Sequence, residues 1–591
     1  MIKRTHTCGE ITLNDAGKQI SLNGWISKTR DLGGLIFIDL RDRYGKTQIF
    51  FNENTNNSVF NIAKKLGLED VIGITGEVVK RPSDAINKSM TTGSIDIEVK
   101  ELFVYNESDP PPFDINDRQS ASEEHRLRYR YLELRTKELQ SNIAIRHKAA
   151  LSTRKYLSNE NFIEIETPIL MKSTPEGARD FLVPSRIHNG KFYALPQSPQ
   201  TYKQLLMVSG FDKYFQIVKC FRDEDFRSDR QPEFTQIDIE MSFVNQEDII
   251  TLGTNLTRAL WKDVLSVNLP EKFKILSYKD SLELYGSDKP DVRFENKLIE
   301  FSDFIEESNF DTFKNILDSK GRVKCIKIND AESFSRKVID ELTNWLKEQY
   351  NAKGLAWMKC LDGKILEGGI SKFFDQSLQE KIIRELEIVK GDMLFIIGDQ
   401  QKITLNALGA LRLELAKRNN LINESLWAPL WIVDFPLFEW NEDHERWDSL
   451  HHPFTSPNFD DIDMLEKNPA MVRSMGYDIV MNGYEIGGGS IRIHDNKLQS
   501  KIFDLLGITK EEAEEKFGFL MNAFKYGAPP HGGMAFGFDR LIMLLANSKQ
   551  IRDVIAFPKT TSAMSLMDNS PSTVDATQLD ELGLKIKPQN K

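Results

Sequence analysis

The chain has 591 residues, of which 40% are hydrophobic and 28% charged, the composition of an ordinary soluble protein with several domains. Its formal net charge of −11 argues against indiscriminate nucleic-acid binding, which needs a broadly positive surface, but leaves room for a local basic patch. No apolar run has membrane-spanning length, and the first residues lack the apolar core of a signal peptide. We therefore expect a cytoplasmic protein with no membrane partner. The cysteines lie far apart and predict neither a disulfide framework nor a structural zinc site.

Residues 1–105 are predicted to form a small β domain. Short runs of β-branched and aromatic residues alternate with turn residues, and a helix-like piece covers residues 60–66. Five strands with one short helix suit an OB-fold barrel. The strand candidates are residues 20–26, 35–40, 47–51, 71–79 and 94–99.

The first fifty residues are locally basic, with eight Lys or Arg against five Asp or Glu. Cations and a ring interleave there, a pattern typical of proteins that stack the bases of single-stranded RNA and pair its phosphates. The residues concerned are Lys28, Arg30, Phe37, Arg41 and Arg43. The alternative, a barrel that only packs against the rest of the chain, remains open.

A hinge and a long helix follow the β domain. The three prolines at 110–112 cannot continue regular structure, and the arginine-rich segment 125–135 is predicted as a solvated linking helix that could touch RNA. From 139 to 159 apolar residues recur at helical spacing, and residues 162–168 are predicted as a strand ending in proline.

Two polar segments precede the middle of the chain. Residues 173–180 are rich in Pro, Gly and small residues, which predicts a mobile loop with Glu176 at its tip. Residues 194–203 present Ser198, Gln200 and Lys203 just ahead of an apolar helix. Alternatively, Ser198 only caps that helix by accepting hydrogen bonds from its backbone.

Residues 213–243 are predicted as two antiparallel strands joined by a charged loop that ends in Gln-Pro-Glu. Alternation puts Gln236, Asp238 and Glu240 on one face of the second strand, and Arg222 could lean over that face. Such a row of polar groups indicates the floor of a polar pocket. The alternative is a strand face exposed to solvent, which is common in antiparallel sheets.

Residues 275–425 contain β-like runs alternating with helical stretches, which suggests an inserted α+β domain. We find no group of residues within it whose pattern indicates a catalytic or binding site.

Adjacent histidines, His451 and His452, lie in a predicted loop. A metal pair is disfavoured, because neighbouring side chains on extended backbone point to opposite sides and no third ligand is evident. Residues 478–492 are predicted as two strands crossing at three consecutive glycines, where something must lie close to the backbone or a bulge must form. Asp478 and Glu485 supply the hard oxygen ligands that suit Mg²⁺.

Residues 532–540 predict a strand and glycine turn that deliver Arg540 to the beginning of a buried helix. Backbone donors and a guanidinium at such a place can together hold a phosphate. The final residues 567–591 are predicted as a surface tail.

One motif carries a family resemblance. Phe221-Arg222-Asp223-Glu224 followed by Gln231-Pro232-Glu233-Phe234-Thr235-Gln236 resembles the second signature of class II aminoacyl-tRNA synthetases, in the form typical of the aspartyl enzymes. The helix and strand at 139–168 resemble the first signature, which forms a dimer interface, and residues 532–540 resemble the third. The resemblance covers nearly the whole chain.

This resemblance implies a multidomain architecture in which an OB-fold barrel reads the anticodon and an antiparallel sheet carries an α+β catalytic domain. The implied segments are an OB-fold domain (1–105), a hinge (106–138), a first catalytic part (139–285), an inserted α+β domain (286–425), a second catalytic part (426–560) and a C-terminal extension (561–591).

The resemblance also implies roles for single residues. The residues that it implies for aspartate binding are Glu176, Ser198, Gln200, Lys203, Arg222, Asp238, His451 and Arg492. ATP binding falls on Arg222, Asp223, Glu224, Gln231, Glu485, Gly537, Phe538, Asp539 and Arg540. Anticodon binding falls on Arg30, Phe37 and Gln48, catalysis on Arg222, Arg540 and Glu485, and magnesium on Asp478 and Glu485.

The implied activity is attachment of L-aspartate to tRNA(Asp), with ATP as substrate, Mg²⁺ as cofactor and a homodimer as the working form. If Lys203 and Arg492 are buried without a carboxylate partner, a substrate lacking the side-chain carboxylate costs ~3–5 kcal/mol, enough to reject asparagine.

Four alternatives remain open. A related ligase for asparagine or lysine is expected to lack the Lys203 and Arg492 pair or to place an acidic group there. A silent RNA-binding paralogue is expected to have lost Arg222, Glu485 or Arg540. A pure scaffold leaves so many polar pocket residues unexplained. The fourth alternative is a relaxed enzyme that also charges tRNA(Asn). Such enzymes often carry histidine at the position of Leu32, and the leucine here resembles the enzymes that charge only tRNA(Asp).

Overall fold

The computed structural model describes residues 1–54, 56–174, 178–224 and 230–587. The chain divides into two compact units, one of residues 1–145 and 550–573, the other of residues 146–549 and 574–591. In the described ranges, no helix is both long and apolar enough to cross a membrane.

The first unit contains a closed barrel with strand order β1-β2-β3-β5-β4, which confirms the predicted OB-fold. Along its strands every second side chain is buried, as the alternating sequence predicts. The buried side chains, such as Leu22, Ile38 and Ile74, fill the barrel. The elements are β1 (Gln19–Asp31), β2 (Leu35–Arg41), β3 (Lys46–Asn52), α1 (Asn57–Ala63), β4 (Val71–Lys80) and β5 (Ile95–Asn106).

The arginine-rich segment forms α2 (Glu123–Arg128) and α3 (Arg130–Glu133). The prediction of a solvated linking helix is wrong here, because Arg130 and Glu133 are buried. Glu133 accepts hydrogen bonds from Arg126 at 2.8 Å and from Arg130 at 2.5 Å. Although burial opposes ionisation, Arg130 and then Arg118 outweigh it and lower the pKa of Glu133. The segment is therefore a packed part of the first unit.

The second unit is built on an eight-stranded sheet with strand order β11-β17-β20-β21-β22-β10-β9-β6. Its strands pair antiparallel except for β11 with β17 and β6 with β9. The predicted strand at 162–168 shrinks to two residues. The strands are β6 (Ile163–Glu164), β9 (Lys213–Phe221), β10 (Glu233–Ser242), β11 (Lys274–Ser277), β17 (Pro429–Val433), β20 (Gly476–Met481), β21 (Tyr484–Ile491) and β22 (His531–Gly537).

Helices cover this sheet with apolar faces. In α6, for example, Leu252, Leu256 and Leu260 recur at helical spacing and are buried. Besides α1 to α3, the described helices outside the insertion are α4 (Lys137–Asn159), which begins in the first unit, α5 (Gln200–Val208), α6 (Gln246–Leu265), α7 (Tyr278–Tyr285), α13 (Asn496–Leu505), α14 (Lys510–Phe524), α15 (Phe538–Leu545) and α16 (Ala576–Glu581). Two small hairpins pair β7 (Leu182–Pro184) with β8 (Phe192–Ala194), and β18 (Phe438–Asn441) with β19 (Arg446–Ser449).

A separate five-stranded sheet, with strand order β12-β13-β16-β14-β15, lies within the predicted insertion. Apolar clusters cover it, one around Phe395 and another around Ile396. Its elements are β12 (Leu298–Glu300), α8 (Ser302–Glu307), α9 (Asp311–Asp318), β13 (Arg322–Ile328), α10 (Arg336–Tyr350), β14 (Ala356–Cys360), β15 (Leu366–Glu367), α11 (Gln376–Glu385), β16 (Met393–Asp399) and α12 (Gln401–Arg418).

Candidate active site

The floor of the candidate site is the polar face of the hairpin β9–β10. Register pairs Asp238 with Gln216 and Glu240 with Tyr214, so these side chains share one face. Asp238 and Glu240 are both 0% exposed, and Ile237 on the opposite face is equally buried. The alternative of a solvent-exposed strand face is therefore wrong. The polar residues line a closed interior, where carboxylates need partners.

Two cations meet these carboxylates. Lys203 on α5 places its Nζ 2.7 Å from Asp238 Oδ1 and 3.3 Å from Glu240 Oε2. Arg492, just after β21, donates from Nε to Glu240 Oε1 at 3.0 Å and from Nη2 to Oε2 at 3.2 Å. Lys203 and Arg492 are thus buried with carboxylate partners. The cost of ~3–5 kcal/mol for a substrate without a side-chain carboxylate was predicted for cations buried without such partners, and that condition is not met. Two positive and two negative groups balance in the floor.

The pKa values of the two acids of the floor shift in opposite directions. Burial raises the pKa of Asp238, and the charge of Lys203 offsets that rise only in part. Burial also acts to raise the pKa of Glu240, but the charges of Arg492 and Lys203 outweigh it and hold the pKa below its usual value. Glu240 is therefore the ionised carboxylate that orients both cations. It was not among the predicted site residues, although strand alternation had placed it on the polar face.

Three predicted aspartate-binding residues each keep a buried polar atom with no hydrogen-bond partner in the described part of the chain. They are Arg222 at Nε, Gln200 at Nε2 and Asp238 at Oδ2. The guanidinium of Arg222 lies 5.1 Å from the ring centre of Phe234, on the same face as Asp238, as predicted. Buried polar atoms without partners are uncommon and indicate a place that a ligand fills.

Ser198 does not cap α5. The cap position of that helix is Pro199, and in the described part of the chain it makes no side-chain cap hydrogen bond, so the capping alternative is wrong. Ser198 instead lines a small cavity together with Asp180 and Gln197. Gln197 donates to the carbonyl of Ala178 and to Asp180, which ties down the end of the predicted mobile loop. Glu176 lies outside the described residues.

The predicted magnesium ligands lie on the hairpin β20–β21. Asp478 pairs with Gly488, and a β-bulge follows between Ile479 and Val480. A Cβ on Gly488 would lie 2.1 Å from Asp478 Oδ1, so this glycine makes room for the carboxylate. Burial and then the charge of Asp478 raise the pKa of Glu485, which shows that the two carboxylates share one region.

This donor set fits magnesium. Mg²⁺ usually takes one or two protein carboxylates and completes its octahedron with water and substrate phosphates. Among residues 1–54, 56–174, 178–224 and 230–587, no group of three or more His, Cys, Asp or Glu side chains forms a metal cage. A site with Asp478 and Glu485 alone matches a metal that arrives with a phosphate ligand.

The adjacent histidines have different surroundings. The ring of His451 meets Phe435 edge-on at 4.6 Å, and its Nε2 lies 3.6 Å from Asp478 Oδ1. Burial lowers the pKa of His451, but Asp478 and Glu485 outweigh it, so the net shift is upward. His452 stacks on Phe454. His451 therefore lies beside the acidic pair.

Arg540 lies in the first turn of α15, directly after β22, as predicted. Its Nη1 donates to the carbonyl of Glu485 at 2.6 Å, which brings the arginine to the carboxylate pair. Gly537 ends β22 opposite Gln236 and precedes the helix. This arrangement joins a cation, a helix N-terminus and acidic side chains in one corner.

Asp539 faces inward. Its carboxylate accepts from Arg146 Nη1 at 2.6 Å and from the backbone N–H of Thr235 at 2.7 Å. The guanidinium of Arg146 also lies 4.8 Å from the ring centre of Phe538. Asp539 thus fastens α15 to β10 and α4, and the nucleotide contacts expected of Phe538 and Asp539 stay predictions.

The charged loop of the central hairpin is described only at its two ends. Asp223 donates its backbone N–H to the carbonyl of Arg179 at 3.0 Å. Glu224 forms an ion pair with Arg230 at 2.9 Å, and Gln231 is buried. The described ends of the loop are therefore held to Arg179 and to each other.

The outer face of the barrel carries the predicted RNA contacts. Arg30 pairs with Phe37 across β1 and β2, and its Nη2 donates to Gln48 Oε1 at 2.6 Å. The ring of Phe37 lies 5.8 Å from that of Phe50 on β3. Together they form an aromatic and cationic surface of the kind that stacks unpaired bases.

Two further barrel residues differ in exposure. Leu32 lies in the turn after β1 and is 71% exposed. Arg41, predicted to join the basic face, is buried and forms an ion pair with Glu69 at 2.7 Å, so that prediction is wrong.

The barrel and the eight-stranded sheet with its buried cations have the architecture of a class II aminoacyl-tRNA synthetase. Solved structures agree in fold: asparaginyl-tRNA synthetase from Pyrococcus horikoshii, solved with asparaginyl-adenylate, is similar at a TM-score of 0.58 and 19% identity, covering 95% of this chain and 99% of that one. An aspartyl tRNA synthetase from Entamoeba histolytica is similar at a TM-score of 0.56 and 19% identity, covering 94% and 91%.

Family models match both parts. The model of tRNA synthetases class II (D, K and N) matches residues 122–561, and the model of the OB-fold nucleic acid binding domain matches residues 20–104. The chain belongs to the class II tRNA synthetases of the D, K and N family.

Two relatives are similar over almost their full lengths. One, from Caldanaerobacter subterraneus subsp. tengcongensis, is named aspartate--tRNA(Asp/Asn) ligase and is 52% identical over 99% of this chain and 98% of its own. The other, from Staphylococcus saprophyticus subsp. saprophyticus, is named aspartate--tRNA ligase and is 50% identical over 99% of this chain and all of its own.

Proposed function

We propose that this enzyme activates L-aspartate with ATP and transfers it to tRNA(Asp). The observation that carries the proposal is the buried floor in which Asp238 and Glu240 hold Lys203 and Arg492. The ammonium and guanidinium keep further donors for a side-chain carboxylate. A lysine substrate would bring a third cation beside Lys203 and Arg492. The side-chain amide of an asparagine substrate would point N–H donors at the N–H donors of these two residues. Full-length relatives named as aspartate ligases support the same choice.

The first reaction needs no activated Ser, Cys or Lys, because the α-carboxylate of aspartate is already a nucleophile. It attacks the α-phosphorus of ATP in line, the bond to the β-phosphate oxygen breaks, and aspartyl adenylate and pyrophosphate result. Catalysis then consists of positioning and charge stabilisation. The unpaired Nε of Arg222 suits the α-phosphate and the attacking carboxylate, and Arg540 suits the γ-phosphate.

Asp478 and Glu485 would hold magnesium, which when bound neutralises phosphate charge as pyrophosphate leaves. Gln200 and Ser198 would hold the α-amino end of aspartate, and His451 would lie near its carboxylates. Glu176 would belong to the loop that closes over the substrate.

In the second reaction a hydroxyl of the terminal ribose of tRNA attacks the carbonyl carbon of the adenylate, and AMP leaves. The segment 223–230 would lie near the acceptor end. The anticodon would meet Arg30, Phe37 and Gln48, whose aromatic and cationic face suits unpaired bases. Asp223, Glu224 and Gln231 would contact ATP.

A second candidate is an enzyme that also aspartylates tRNA(Asn). The relative from Caldanaerobacter, whose name includes both tRNAs, favours it. Leu32, exposed in a turn beside Arg30, supports the strict form by the resemblance given above. A catalytically silent paralogue is disfavoured, because Arg222, Glu485 and Arg540 are all present.

We further place the enzyme in the cytoplasm as a homodimer. Leu151 on α4 and Ile163 on β6 are 60% and 50% exposed, which supports an apolar contact between copies through these elements.

The test is aspartate attachment by the purified protein with ATP and Mg²⁺ to transcripts of tRNA(Asp) and tRNA(Asn), assayed separately. Charging of tRNA(Asp) alone is the expected result. Charging of both transcripts would support the second candidate. Charging of neither, together with no aspartate-dependent exchange of pyrophosphate into ATP, would overturn the proposal and favour the silent paralogue.

A further inference from the structure

The helix α5, which carries Gln200 and Lys203, packs on the polar face of the eight-stranded sheet. Lys203 contacts this face through its ion pairs with the two acids of the floor. One turn further along the helix, the hydroxyl of Ser242 on β10 donates to Met207 Sδ at 3.2 Å. Lys203 and Met207 are four residues apart and therefore share one side of the helix. This side of α5 meets the floor.

A further contact between α5 and the sheet uses Gln204, which has no part in the proposed reaction. Its Oε1 lies 3.3 Å from Nε2 of His531, the first residue of β22, and its Nε2 donates to the carbonyl of Gln200 at 3.4 Å. Gln204 and His531 are both fully buried. Because a polar contact sealed from water is strong and costly to break, this pair is a second anchor of the helix.

His531 lies on the same face of the sheet as the acids of the floor. Register pairs Ser242 with His531 and Glu240 with Gly533, and side chains two residues apart on a strand point the same way. A Cβ on Gly533 would lie 2.1 Å from Glu240 Oε2. The strand β22 thus leaves room for the carboxylate at Gly533 and places the histidine beside it.

Other contacts fix His531 in place. Its Nδ1 lies 2.8 Å from the carbonyl oxygen of Pro529, which can only accept, so Nδ1 carries a hydrogen. Its own carbonyl accepts from the backbone N–H of Arg492 at 2.9 Å, and its ring centre lies 6.2 Å from that of Phe524 on α14. His531 is therefore a fixed contact point for α5.

We infer that His531 and Gln204 are positioning residues for aspartate, which fix the rotation of α5 so that Lys203 and Gln200 face the substrate. This inference rests on the proposed function, because it concerns the same amino-acid site. Lys203 alone does not fix that rotation, since its ammonium ends a flexible four-carbon stem. The contact at the next residue, Gln204, removes this freedom. The buried Nε2 of Gln200, which has no partner in the described part of the chain, then remains directed to the ligand.

The experiment removes each side of the contact separately and then both together. Gln204→Met keeps the length of the side chain and loses the amide, His531→Leu loses the ring nitrogens, and a third variant combines both substitutions. His531→Gln restores an amide near the position of Nε2. The matched control is Thr254→Val, which removes a hydrogen bond of 2.9 Å from Trp431 Nε1, another buried link between a helix and the same sheet. Pyrophosphate exchange gives KM for aspartate and for ATP separately, and urea unfolding gives the stability of each variant.

Gln204→Met and His531→Leu should each raise KM for aspartate about tenfold, the loss of one buried hydrogen bond, and leave KM for ATP unchanged. The combined variant should be no worse than either one, because both substitutions remove the same contact. His531→Gln should recover most of the affinity, and Thr254→Val should lose stability but keep both KM values. An unchanged KM for aspartate in folded Gln204→Met, or an equal rise in both KM values, would overturn the inference. If His531→Leu does not fold, Gln204→Met decides alone.

Hydrogen exchange measured by mass spectrometry separates this inference from the proposed function. Without any substrate, the backbone amides of residues 200–208 should exchange faster in Gln204→Met than in Thr254→Val, because α5 has lost an anchor. If the unaltered protein shows no aspartate-dependent pyrophosphate exchange, the proposed function fails, and faster hydrogen exchange in α5 still supports the anchoring role. Unaltered hydrogen exchange in α5 would overturn that role whatever the activity.

Discussion

Arg492 and Glu240 lie 252 residues apart in the chain and form a two-point ion pair in the floor of the pocket, with Nε to Oε1 at 3.0 Å and Nη2 to Oε2 at 3.2 Å. Glu240 also lies 3.3 Å from Lys203. One carboxylate thus orients both cations to which we assign the recognition of aspartate. Removing its charge would leave buried cations with a poorer partner.

We expect Glu240→Gln to cost about 3–5 kcal/mol, divided between folding and aspartate binding, as for other buried pairs that lose a partner. Urea unfolding measures the first part, and KM for aspartate in pyrophosphate exchange measures the second. Glu247→Gln, exposed on α6, is the matched control. A folded Glu240→Gln variant with an unchanged KM for aspartate would contradict the role of this residue.

The carboxylate pair allows a second prediction. A Cβ at Gly488 would lie 2.1 Å from Asp478 Oδ1, so Gly488→Ala must displace that carboxylate from its place near Glu485. We expect the Mg²⁺ concentration for half-maximal pyrophosphate exchange to rise about tenfold. This is the lower end of the loss in metal affinity that follows when the support of a metal ligand is disturbed. A magnesium titration of pyrophosphate exchange measures it. Gly354→Ala is the control, because its Cβ would meet nothing within 4 Å. Equal titrations for both variants would argue against Asp478 as a ligand.

The sequence predicted those parts of the fold and site that depend on local patterns. Alternation in β10 separated Ile237 and Ile239 from Asp238 and Glu240, and the structure confirms that separation. The glycine turn before Arg540 likewise predicted the beginning of α15. These features depend on neighbours within a few residues, which the sequence displays directly.

What the sequence did not predict depends on contacts between distant segments. Arg41 has the same local pattern as Arg30, yet it turns inward because Glu69, on a later segment, neutralises it. The pairing of Arg492 with Glu240 likewise cannot be predicted from the periodicity of the sequence, because the two residues lie far apart in the chain. The alternative of a helix cap at Ser198 is wrong, because Pro199 is the residue that precedes the helix. Alternation predicts a face, whereas the partner on that face is set by tertiary packing.

The junction of the insertion supplies a prediction on pH. Glu283 on α7 accepts from Arg322 at 2.5 Å and from Lys324 at 2.8 Å. Burial opposes ionisation, but these cations outweigh it and lower the pKa of Glu283 below its usual 4.5. The pairing therefore contributes stability above the unfolded-state pKa, and that contribution is lost as pH falls through the lower folded pKa.

Glu283→Gln should lower the free energy of unfolding by about 2 kcal/mol at pH 7, the scale of hydrogen bonds to charged groups, with the deficit shrinking as pH falls below 4.5. Urea unfolding from pH 7 down to the acid limit measures this. Glu295→Gln, at an exposed position that is 96% accessible, should change little. A deficit that stays constant with pH would show that packing, not charge, is responsible.

The face of the barrel to which we assign anticodon binding allows RNA binding to be tested separately from amino-acid activation. Phe37 lies beside Arg30 and Gln48 on the outer surface, where its ring can stack on a base. Loss of one base–aromatic stack costs about 1–3 kcal/mol, so Phe37→Leu should raise KM for tRNA(Asp) by about 5- to 150-fold. Pyrophosphate exchange without tRNA should stay unchanged, because the substitution leaves the catalytic sheet intact. Phe103→Leu, another exposed ring on the barrel at β5, is the matched control and should leave both assays unaltered. Equal losses in Phe37→Leu and Phe103→Leu would indicate a general disturbance of the barrel, and a selective loss in Phe37→Leu would tie this face to the tRNA.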